Sequence, residues 1–377
     1  MNKVLFGDVV KDIKINVDRN NNPYEHYIAG DHMCSEDLTL RTKGTFATDD
    51  VGPAFTRIFK PGQILYGSRR TYLKKIAVAD FEGITANTTF VLETKDNSVL
   101  LQELLPFIML SEAFTAWSIK KSKGSTNPYV LFSDLASFEF DLPPIEEQKI
   151  LADKLWAAYR LKESYKKLFA ATDDMVKSQF IEMLAIDPQY KTLDNACSYI
   201  GKGITPKYVE TSTIAVVNQA CVYWDGLHLD NVKYHDSGIA LKKSLLENGD
   251  VLLNSTGSGT LGRSCLYINP GGDKDYITDG HVAVLKTEPK FILPEVLVMY
   301  FSLKDTQEEL YRNYVTGSTN QVDIVFTSIK NMQIPTPQID LQKKFISIKH
   351  QADKSKFELR KSIDAIDSVI KSLINNQ

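Results

Sequence analysis

The stretch KGSTNPYVLFSDLASFEFDLPPIEEQKIL, residues 123–151, returns later in the chain as TGSTNQVDIVFTSIKNMQIPTPQIDLQKKFI, residues 316–346. The run GSTN recurs at a shift of 193 residues, and Gln148 recurs as Gln342 at a shift of 194 residues. Chance rarely keeps such a register, and self-similarity at a fixed period indicates duplicated structural units. The chain therefore contains two copies of one sequence unit.

The repeat extends upstream of these two stretches. PGQILYGS (61–68) pairs with NGDVLLNS (248–255), and GITANTTFVLE (83–93) pairs with YITDGHVAVLK (276–286). The gap between the matched segments falls in one loop, which reads SRRTYLKK (68–75) in the first copy and is rich in glycine in the second. We expect a loop that differs in this way to contact a nucleic-acid backbone or base edge rather than a fixed cofactor.

The glycine-rich loop itself, LLNSTGSGTLGRSC (252–265), places Gly257, Gly259 and Gly262 in the spacing G-x-G-x-x-G. That pattern binds a dinucleotide only when a helix follows at once, because the helix N-terminus faces the phosphates. Here the β-prone run RSCLYI and the turn residues NPGG follow. The sequence therefore predicts a glycine-rich hairpin or binding loop.

Two long segments without Gly or internal Pro follow the repeated junctions, and each predicts a helix with a coiled-coil seam. Apolar positions alternate at spacings of four and three, which is the coiled-coil pattern. In the first helix the seam positions are Leu151, Leu155, Ala158, Lys162, Tyr165, Phe169, Thr172, Val176, Gln179 and Met183. In the second they are Leu341, Phe345, Ile348, Ala352, Ser355, Leu359, Ser362, Ile366, Val369 and Leu373. We expect the two helices to pack antiparallel.

The rest of each copy mixes short β-rich runs with one helical run, which is typical of an α/β or α+β domain. The predicted fold class is thus α/β (α+β), with two similar globular domains joined by two long antiparallel coiled-coil helices in a pseudo-two-fold internal repeat. The predicted boundaries are 1–143 for the first domain, 144–185 for the central helix, 186–336 for the second domain and 337–377 for the C-terminal helix.

Composition narrows the class of protein. With 43% hydrophobic and 24% charged residues and a net charge of −3, the chain has the profile of a globular protein and not of a general polyanion binder. No apolar run is long enough for a signal sequence or a membrane span, so we expect a cytoplasmic protein. The four cysteines form no C-x-x-C pair, and we expect buried, reduced thiols without a metal site.

Each repeated junction has a G-S-T run, a weak strand and a Pro-rich entry to a helix that contains Gln148 or Gln342. In these features the sequence resembles the specificity subunit of type I restriction-modification systems. The resemblance covers essentially the whole chain. It implies a non-catalytic subunit with two target recognition domains, which reads a bipartite, asymmetric site in double-stranded DNA, one half per domain. It also implies that the helices set the spacer between the half-sites.

The resemblance further implies partners and cofactors. Two methyltransferase subunits would modify adenine with S-adenosylmethionine, and in the larger assembly two restriction subunits would translocate DNA with ATP and Mg. No cofactor would be bound by this chain. A related methyltransferase-only system without nuclease subunits, or a coiled-coil adaptor whose domains bind protein, are the alternatives.

The repeat and the resemblance together assign candidate DNA-binding residues, because Arg, Lys and Asn can read base edges and hydroxyls suit phosphates. In the first domain they are Ser68, Arg69, Arg70, Tyr72, Lys74, Lys123, Gly124, Ser125 and Thr126. In the second they are Asn254, Ser255, Thr256, Ser258, Arg263, His281, Gly317, Ser318 and Thr319. For His281 a buried, hydrogen-bonded role is the alternative to a base contact, since the first copy has Thr88 there.

Enzyme interpretations find little support in the sequence. TNPYV (126–130) is one proline short of the N-P-P-Y motif of adenine methyltransferases, and its repeat counterpart TNQVD lacks proline altogether. No G-x-x-x-x-G-K-[ST] or H-E-x-x-H motif is present. We therefore assign no catalytic residues and no metal site.

Overall fold

The computed structural model describes residues 2–18, 21–241, 243, 245–318 and 321–375. The chain divides into two compact units, the first comprising residues 1–168 and 358–377 and the second residues 169–357. Each unit holds one copy of the repeat and a part of each long helix. The domain boundaries drawn from the sequence, which set the helices apart from the globular parts, stay a prediction.

The first unit begins with a strand and ends its globular part at the first long helix. Its strands are β1 (Asn2–Leu5), β2 (Val10–Asp12), β3 (His26–Ile28), β4 (Gly44–Thr45), β5 (Phe55–Phe59), β6 (Ile64–Gly67), β7 (Ile76–Val78), β8 (Gly83–Ala86), β9 (Thr89–Thr94) and β10 (Glu139–Leu142). Its short helices are α1 (Phe6–Val9), α2 (Leu105–Leu110), α3 (Glu112–Lys121) and α4 (Phe132–Ala136), and the long helix α5 spans Ile145–Ile186.

The second unit follows a similar order with additional strands. Its strands are β11 (Tyr190–Thr192), β12 (Cys197–Lys202), β13 (Tyr208–Val209), β14 (Ile214–Val217), β15 (Val222–Tyr223), β16 (Gly226–Leu227), β17 (Lys233–His235), β18 (Val251–Asn254), β19 (Ser264–Leu266), β20 (Asp275–Thr278), β21 (Val282–Thr287), β22 (Val315–Ser318), β23 (Gln321–Ile324) and β24 (Gln333–Pro335). Its short helices are α6 (Leu193–Ala196), α7 (Pro294–Ser302), α8 (Lys304–Asn313) and α9 (Phe326–Ile329), and the second long helix α10 spans Ile339–Asn375.

The helical run predicted in each copy is broken into two helices. In the first unit Ser111 separates α2 from α3, and its hydroxyl caps α3 by accepting a hydrogen bond from Phe114 N. In the second unit α7 ends at Ser302 and α8 begins at Lys304. The extended backbone of Leu303 between them turns the chain (φ −70°, ψ 140°).

One four-stranded sheet has the same strand order in both units, β2-β9-β6-β7 in the first and β12-β21-β18-β19 in the second. Strand β18 is buried on both faces because alternate residues enter two different cores. Val251 and Leu253 pack with α7, whereas Leu252 packs with β14. In the first unit Ile64 and Tyr66 of β6 likewise lie in one core, and Leu65 lies in another. Helices therefore cover one face of this sheet and a second sheet covers the other.

The second sheet differs between the units at its edges. Its order is β4-β3-β8-β5 in the first unit and β13-β17-β14-β20 in the second. The parallel pairing of β3 with β8 corresponds to that of β14 with β20, and β4 corresponds to β17. The fourth strand is added beside β8 in the first unit but beside β17 in the second. The shared part of the fold is thus three strands wide here, and the edges are free to vary.

The two long helices pair antiparallel, as predicted, and the pairing is seen separately inside each unit. In the first unit the ammonium of Lys162 on α5 pairs with the carboxylate of Asp367 on α10, and Leu155 and Ile370 belong to one core. In the second unit the rings of Phe180 and Phe345 lie 5.0 Å apart. There Lys356 also lies 2.7 Å from Asp173.

The predicted seam is largely correct. Every predicted position on α5 is buried or half-buried, but Ser355 and Val369 on α10 are exposed and were wrongly assigned. Ile370 is buried in place of Val369. A straight helix has 3.6 residues per turn, whereas the predicted seam assumes 3.5. The predicted positions therefore rotate away from the partner helix by about 20° per heptad, and after several heptads the neighbouring residue faces the partner instead.

The glutamines repeated at the junctions are structural. Gln148, at the start of α5, accepts a hydrogen bond from Leu101 N (3.0 Å) and donates to Val99 O and Pro143 O (both 2.9 Å). Gln342, at the start of α10, accepts from Leu293 N (2.8 Å) and donates to Phe291 O (2.9 Å) and Pro337 O (2.6 Å). Both side chains are buried. We call each set of three bonds the glutamine clasp. It ties the start of the long helix to the segment that follows β9 in the first unit and β21 in the second.

The cysteines are free, as expected, but they are not all buried. Cys197, Cys221 and Cys265 are buried, and burial raises the pKa of Cys197 and of Cys265 to about 12. Cys34 is exposed, which corrects the expectation of a buried thiol there. It lies in the segment between β3 and β4, beside Met33, which is buried in a core.

Candidate nucleic-acid interface

In the first unit the two predicted DNA-binding segments come together. The β6–β7 loop (68–75) meets the GST segment (122–130) where Arg69 forms a backbone bridge with Tyr129. Arg70 N donates to Pro128 O at 2.7 Å, and Val130 N donates to Ser68 O at 3.0 Å. Segments that are about 55 residues apart in the chain thus form one surface.

The second unit makes the same junction with different residues. The β18–β19 loop (255–263) meets the hairpin formed by β22 and β23 where Thr256 bridges Asp323. Ile324 N donates to Ser255 O at 2.8 Å, and Gly257 N donates to Val322 O at 3.2 Å. Position 69 corresponds to 256 and position 129 to 323 at the shifts found in the sequence. The repeat therefore preserves the frame that holds these loops.

Ser68 and Ser255, both predicted to bind DNA, form the centre of this frame. The Ser68 hydroxyl donates to Thr88 O at 2.6 Å, and the Ser255 hydroxyl donates to His281 O at 3.0 Å. Both serines are buried, so the structure does not bring their hydroxyls to the surface. We call the bonds that join each serine to the two neighbouring segments the serine clasp.

Asn254 is also placed inside the protein. It is fully buried at the end of β18, and its Nδ2 donates to Gln219 O at 3.0 Å. Among the described residues its Oδ1 has no hydrogen-bond partner. The prediction that Asn254 stands at the surface as a base reader does not match this position, because a strand residue at an inward-facing register points into the core.

The exposed side chains of the β6–β7 loop are Arg69, Arg70 and Tyr72. A 3₁₀ turn at Thr71–Leu73 shapes the loop, and Arg70 and Lys74 on either side have φ of 50° and 47°. A residue other than glycine in this left-handed region costs about 1–2 kcal/mol. Such strain is concentrated at functional sites, where the surrounding structure enforces it.

The lysines at the edges of this surface are held by carboxylates. Lys74 is half-buried and lies 2.9 Å from Glu36, and this hydrogen bond holds the pKa of Glu36 below its usual value. Lys123 is exposed and lies 3.0 Å from Asp134. Burial raises the pKa of Asp134, but bonds from Leu131 N and Lys123 outweigh it, so the pKa is lowered. Lys74 is thus directed towards the protein, whereas Lys123 stays at the surface.

The GST run lies at the surface in the first unit, and in the second unit only part of it belongs to the described residues. Gly124, Ser125 and Thr126 are exposed, with Gly124 at a φ of 88°, and Gly317 is exposed at a φ of 110°. The backbone of Ser318 pairs with Gln321 in the hairpin. The remaining candidate, Thr319, lies outside the described residues.

The glycine-rich loop is a connection between two antiparallel strands, as predicted, and no helix follows its glycines. Gly257, Gly259 and Gly262 have φ of 94°, 84° and 84°, which side chains other than glycine adopt at a cost. A Cβ on Gly262 would also lie 2.3 Å from Gln307 Oε1, whereas Gly259 has open space around it. The glycines therefore let the loop turn sharply and approach α8 closely.

The side chains displayed by the second unit carry less charge. Ser258 is exposed at the tip, and Thr256 Oγ1 lies 2.8 Å from His281 Nδ1. His281 is itself exposed, so the alternative of a buried histidine is wrong. The guanidinium of Arg263 lies 5.2 Å from the centre of the Tyr223 ring.

Sequence reasoning missed two exposed features beside these loops. Tyr129 is 40% exposed and lies in the repeated junction, but it is not among the predicted DNA-binding residues. Trp224 is 44% exposed in the turn of the β15–β16 hairpin. Gly226 follows the two turn residues, and a glycine at that position of a β-turn is a turn signal, but it does not mark Trp224 as a surface feature.

Other kinds of site find no support in the part of the chain that the structure describes. There no group of three or more His, Cys, Asp or Glu side chains could hold a metal ion. No helix within the same residues is long and apolar enough to cross a membrane. The surface formed by the two loops of each unit is the strongest candidate.

Comparison with known proteins gives consistent results. The model of the type I restriction modification DNA specificity domain matches residues 15–168 and again residues 203–366. A curated relative, the type I restriction enzyme EcoDI specificity subunit of Escherichia coli, is 26% identical over 157 residues, which are 41% of this chain and 32% of the relative. The match thus spans about a third of the length of that relative.

Solved structures share the whole fold. A chain in a structure described as the structural basis of complex assembly and conformational transition of the type I R-M system has a TM-score of 0.59 at 17% identity, covering 99% of this chain and 96% of that one. The S subunit of a type I restriction-modification system from M. genitalium has a TM-score of 0.57 at 13% identity, covering 99% and 94%. The fold of this chain is therefore shared with chains of solved type I restriction-modification structures.

Proposed function

This chain belongs to the type I restriction modification DNA specificity family, and on that premise we propose that it is the subunit that selects the DNA sequence in a type I restriction-modification complex. Each unit reads one half of a split, asymmetric site in double-stranded DNA. The chain performs no chemistry itself. It brings two methyltransferase subunits to the adenines of the site.

One observation carries this proposal. Both units hold their paired loops with the same serine clasp and the same backbone bridge, yet the side chains that the loops display are different. Arg69 in the first unit stands where Thr256 stands in the second, and Tyr129 stands where Asp323 stands. A constant frame with different tips is what a protein needs to read two different half-sites with one fold.

The first unit offers a cationic and aromatic surface. Arg69 and Arg70 are exposed and can bond to guanine O6 and N7 or to phosphates. Lys120 and Lys121 end helix α3, which adjoins the GST segment, and suit phosphate contacts. The exposed N–H groups and hydroxyls of residues 124–126 add further donors.

The second unit offers mainly hydroxyls, glycine backbone and one arginine. Ser258 and the open backbone around Gly259 suit phosphate oxygens, since no side chain blocks a close approach. Arg263 closes the loop and can reach a base edge or a phosphate. The difference in charge between the two units favours an asymmetric site over a palindrome.

The partners and cofactors follow from the family. The methyltransferase subunits would use S-adenosylmethionine, and two restriction subunits, where the system has them, would use ATP and Mg. A methyltransferase-only system without nuclease subunits is the second candidate, and it differs from the first only in these additional partners. In either case this chain binds no cofactor.

Mapping methylated adenines in the genome of cells with and without this gene tests the proposal. We expect one split motif whose methylation disappears with the gene and returns with the wild-type gene on a plasmid. A genome whose methylation does not depend on the gene, together with no sequence preference of the purified complex, contradicts the proposal. Cleavage of unmethylated DNA carrying the motif separates the full system from the methyltransferase-only one.

A further inference from the structure

The second unit contains a small hairpin that has no counterpart among the described residues of the first unit. Strands β15 and β16 lie between β14 and β17 and are joined by the two residues Trp224 and Asp225. The corresponding interval of the first unit, between β3 and β4, forms a 3₁₀ turn at Gly30–His32 and no hairpin. The hairpin is therefore an addition to the repeated frame.

The base of the hairpin is anchored in the core. Cys221 and Val222 are fully buried, and His228 N donates to Cys221 O at 2.8 Å. The Tyr223 ring stacks on His228 with centroids 4.2 Å apart, and His228 Nε2 lies 3.0 Å from Asp225 Oδ1. These contacts fix the turn, so the position of Trp224 is determined by the fold rather than by loop motion.

The hairpin is also joined to the glycine-rich loop. Arg263, the last residue of that loop, lies over the Tyr223 ring at 5.2 Å. A cation over an aromatic face contributes about 0.5–1 kcal/mol at an exposed site. Trp224 is thus next to a residue that holds a candidate reader of the second unit.

The turn displays a chemistry that suits base edges better than phosphates. Trp224 is 44% exposed, so a large part of an apolar side chain is accessible to water. Asp225 is exposed beside it and would repel a phosphate backbone. A carboxylate can instead accept a hydrogen bond from cytosine N4, and an apolar group can contact a thymine methyl. A two-stranded ribbon also fits the major groove of DNA.

We propose that the β15–β16 hairpin enters the major groove and that Trp224 and Asp225 read base pairs of the half-site bound by the second unit. This inference rests on the proposed function and deepens it. It makes the hairpin, with Arg263 behind it, a third reading element in the second unit beside the β18–β19 loop and the β22–β23 hairpin. The two half-sites would then be read by different numbers of elements.

Binding of the complex of the full chain with its methyltransferase partner tests this inference. The probes are a duplex carrying the mapped split site and a set of duplexes in which each base pair is changed in turn. For Trp224→Ala we expect about tenfold weaker binding, or about 1.4 kcal/mol, with loss of discrimination at one or two base pairs of a single half-site. Tyr190→Ala, which removes an aromatic ring that is 50% exposed on β11 of the same unit, is the matched control and should bind as the wild type does.

The pattern of lost discrimination separates reading from a structural role. A variant with a damaged fold would weaken binding to every duplex and lower the melting temperature, whereas a lost reader leaves the other half-site unchanged. Asp225→Asn, which keeps the size of the side chain, should alter preference at a neighbouring base pair. If Trp224→Ala and Asp225→Asn keep the affinity and the full base preference of a wild-type complex that does read a split site, the hairpin proposal is overturned alone. If the wild-type complex has no sequence preference, the proposed function and this inference both fall.

Discussion

Replacing Gln342 with alanine should destabilise the second unit strongly, because the change leaves three backbone groups, one buried and two part-buried, without their partner. The side chain satisfies Leu293 N, Phe291 O and Pro337 O, and none of its own surface is exposed. A buried group that loses its partner costs about 1–3 kcal/mol. Some relaxation is expected, so we predict a loss of about 3 kcal/mol in the free energy of unfolding.

Urea unfolding followed by circular dichroism measures the loss, and amide hydrogen exchange locates it. The Leu293 amide should exchange about 100-fold faster in the variant, since each 1.4 kcal/mol corresponds to a factor of ten. Gln351→Ala is the matched control, because Gln351 lies exposed on the same helix; its effect should stay within about 0.5 kcal/mol. Gln148→Ala should reproduce the large effect in the first unit. Equal stabilities of Gln342→Ala and Gln351→Ala would refute the structural role of the glutamine clasp.

Two further predictions concern the loops. Gly262→Ala should destabilise the second unit by more than the about 1–2 kcal/mol expected from the left-handed backbone alone. Its Cβ would displace the amide of Gln307, whose Nε2 donates to Gly262 O and Phe301 O. Gly259→Ala, with similar φ and open space, should show only the backbone cost, and equal melting temperatures would contradict the close approach. Asp134 has a lowered pKa, so its contribution to stability is present above its usual pKa of 3.8 and is lost as the pH falls through the lower value of the folded protein. The free-energy difference between wild type and Asp134→Asn should therefore be constant from about pH 5 to 7 and vanish towards about pH 2, and a difference that grows in acid would show that the sign is wrong.

Much of the architecture could be predicted because repeats and helix periodicity are local signals. The correspondence of the β6–β7 loop with the glycine-rich loop follows from alignment of the two copies alone, and the strand order confirms it. The paired helices could be predicted from apolar residues that are spaced alternately by four and three positions. Ser355 and Val369 on α10 deviate. At Val369 the buried position has moved to Ile370, because the real period of a helix exceeds that of the heptad.

The candidate site was harder to predict, and the reason lies in what a repeat preserves. Residues shared by both copies, such as Ser68 and Ser255, were predicted to contact DNA. Their hydroxyls instead donate hydrogen bonds to backbone oxygens and so hold the frame. Asn254 lies at the inward-facing end of a strand, and its burial depends on Gln219 from a distant segment. The features that differ between the copies, including Trp224, carry no repeat signal and become visible only when the hairpin is placed beside Arg263.

The most direct test of the account changes the tips of one unit and leaves the frame intact. In a complex with Arg69→Ala and Arg70→Ala, the selected DNA motif should relax in one half only, while the other half and the spacing between the halves stay as in the wild type. Lys60→Ala, an exposed cation before β6 at the opposite end of that strand from the β6–β7 loop, should leave the motif unchanged. Relaxation of both halves together, or an unaltered motif in the double arginine variant, would contradict the division of reading between the two units.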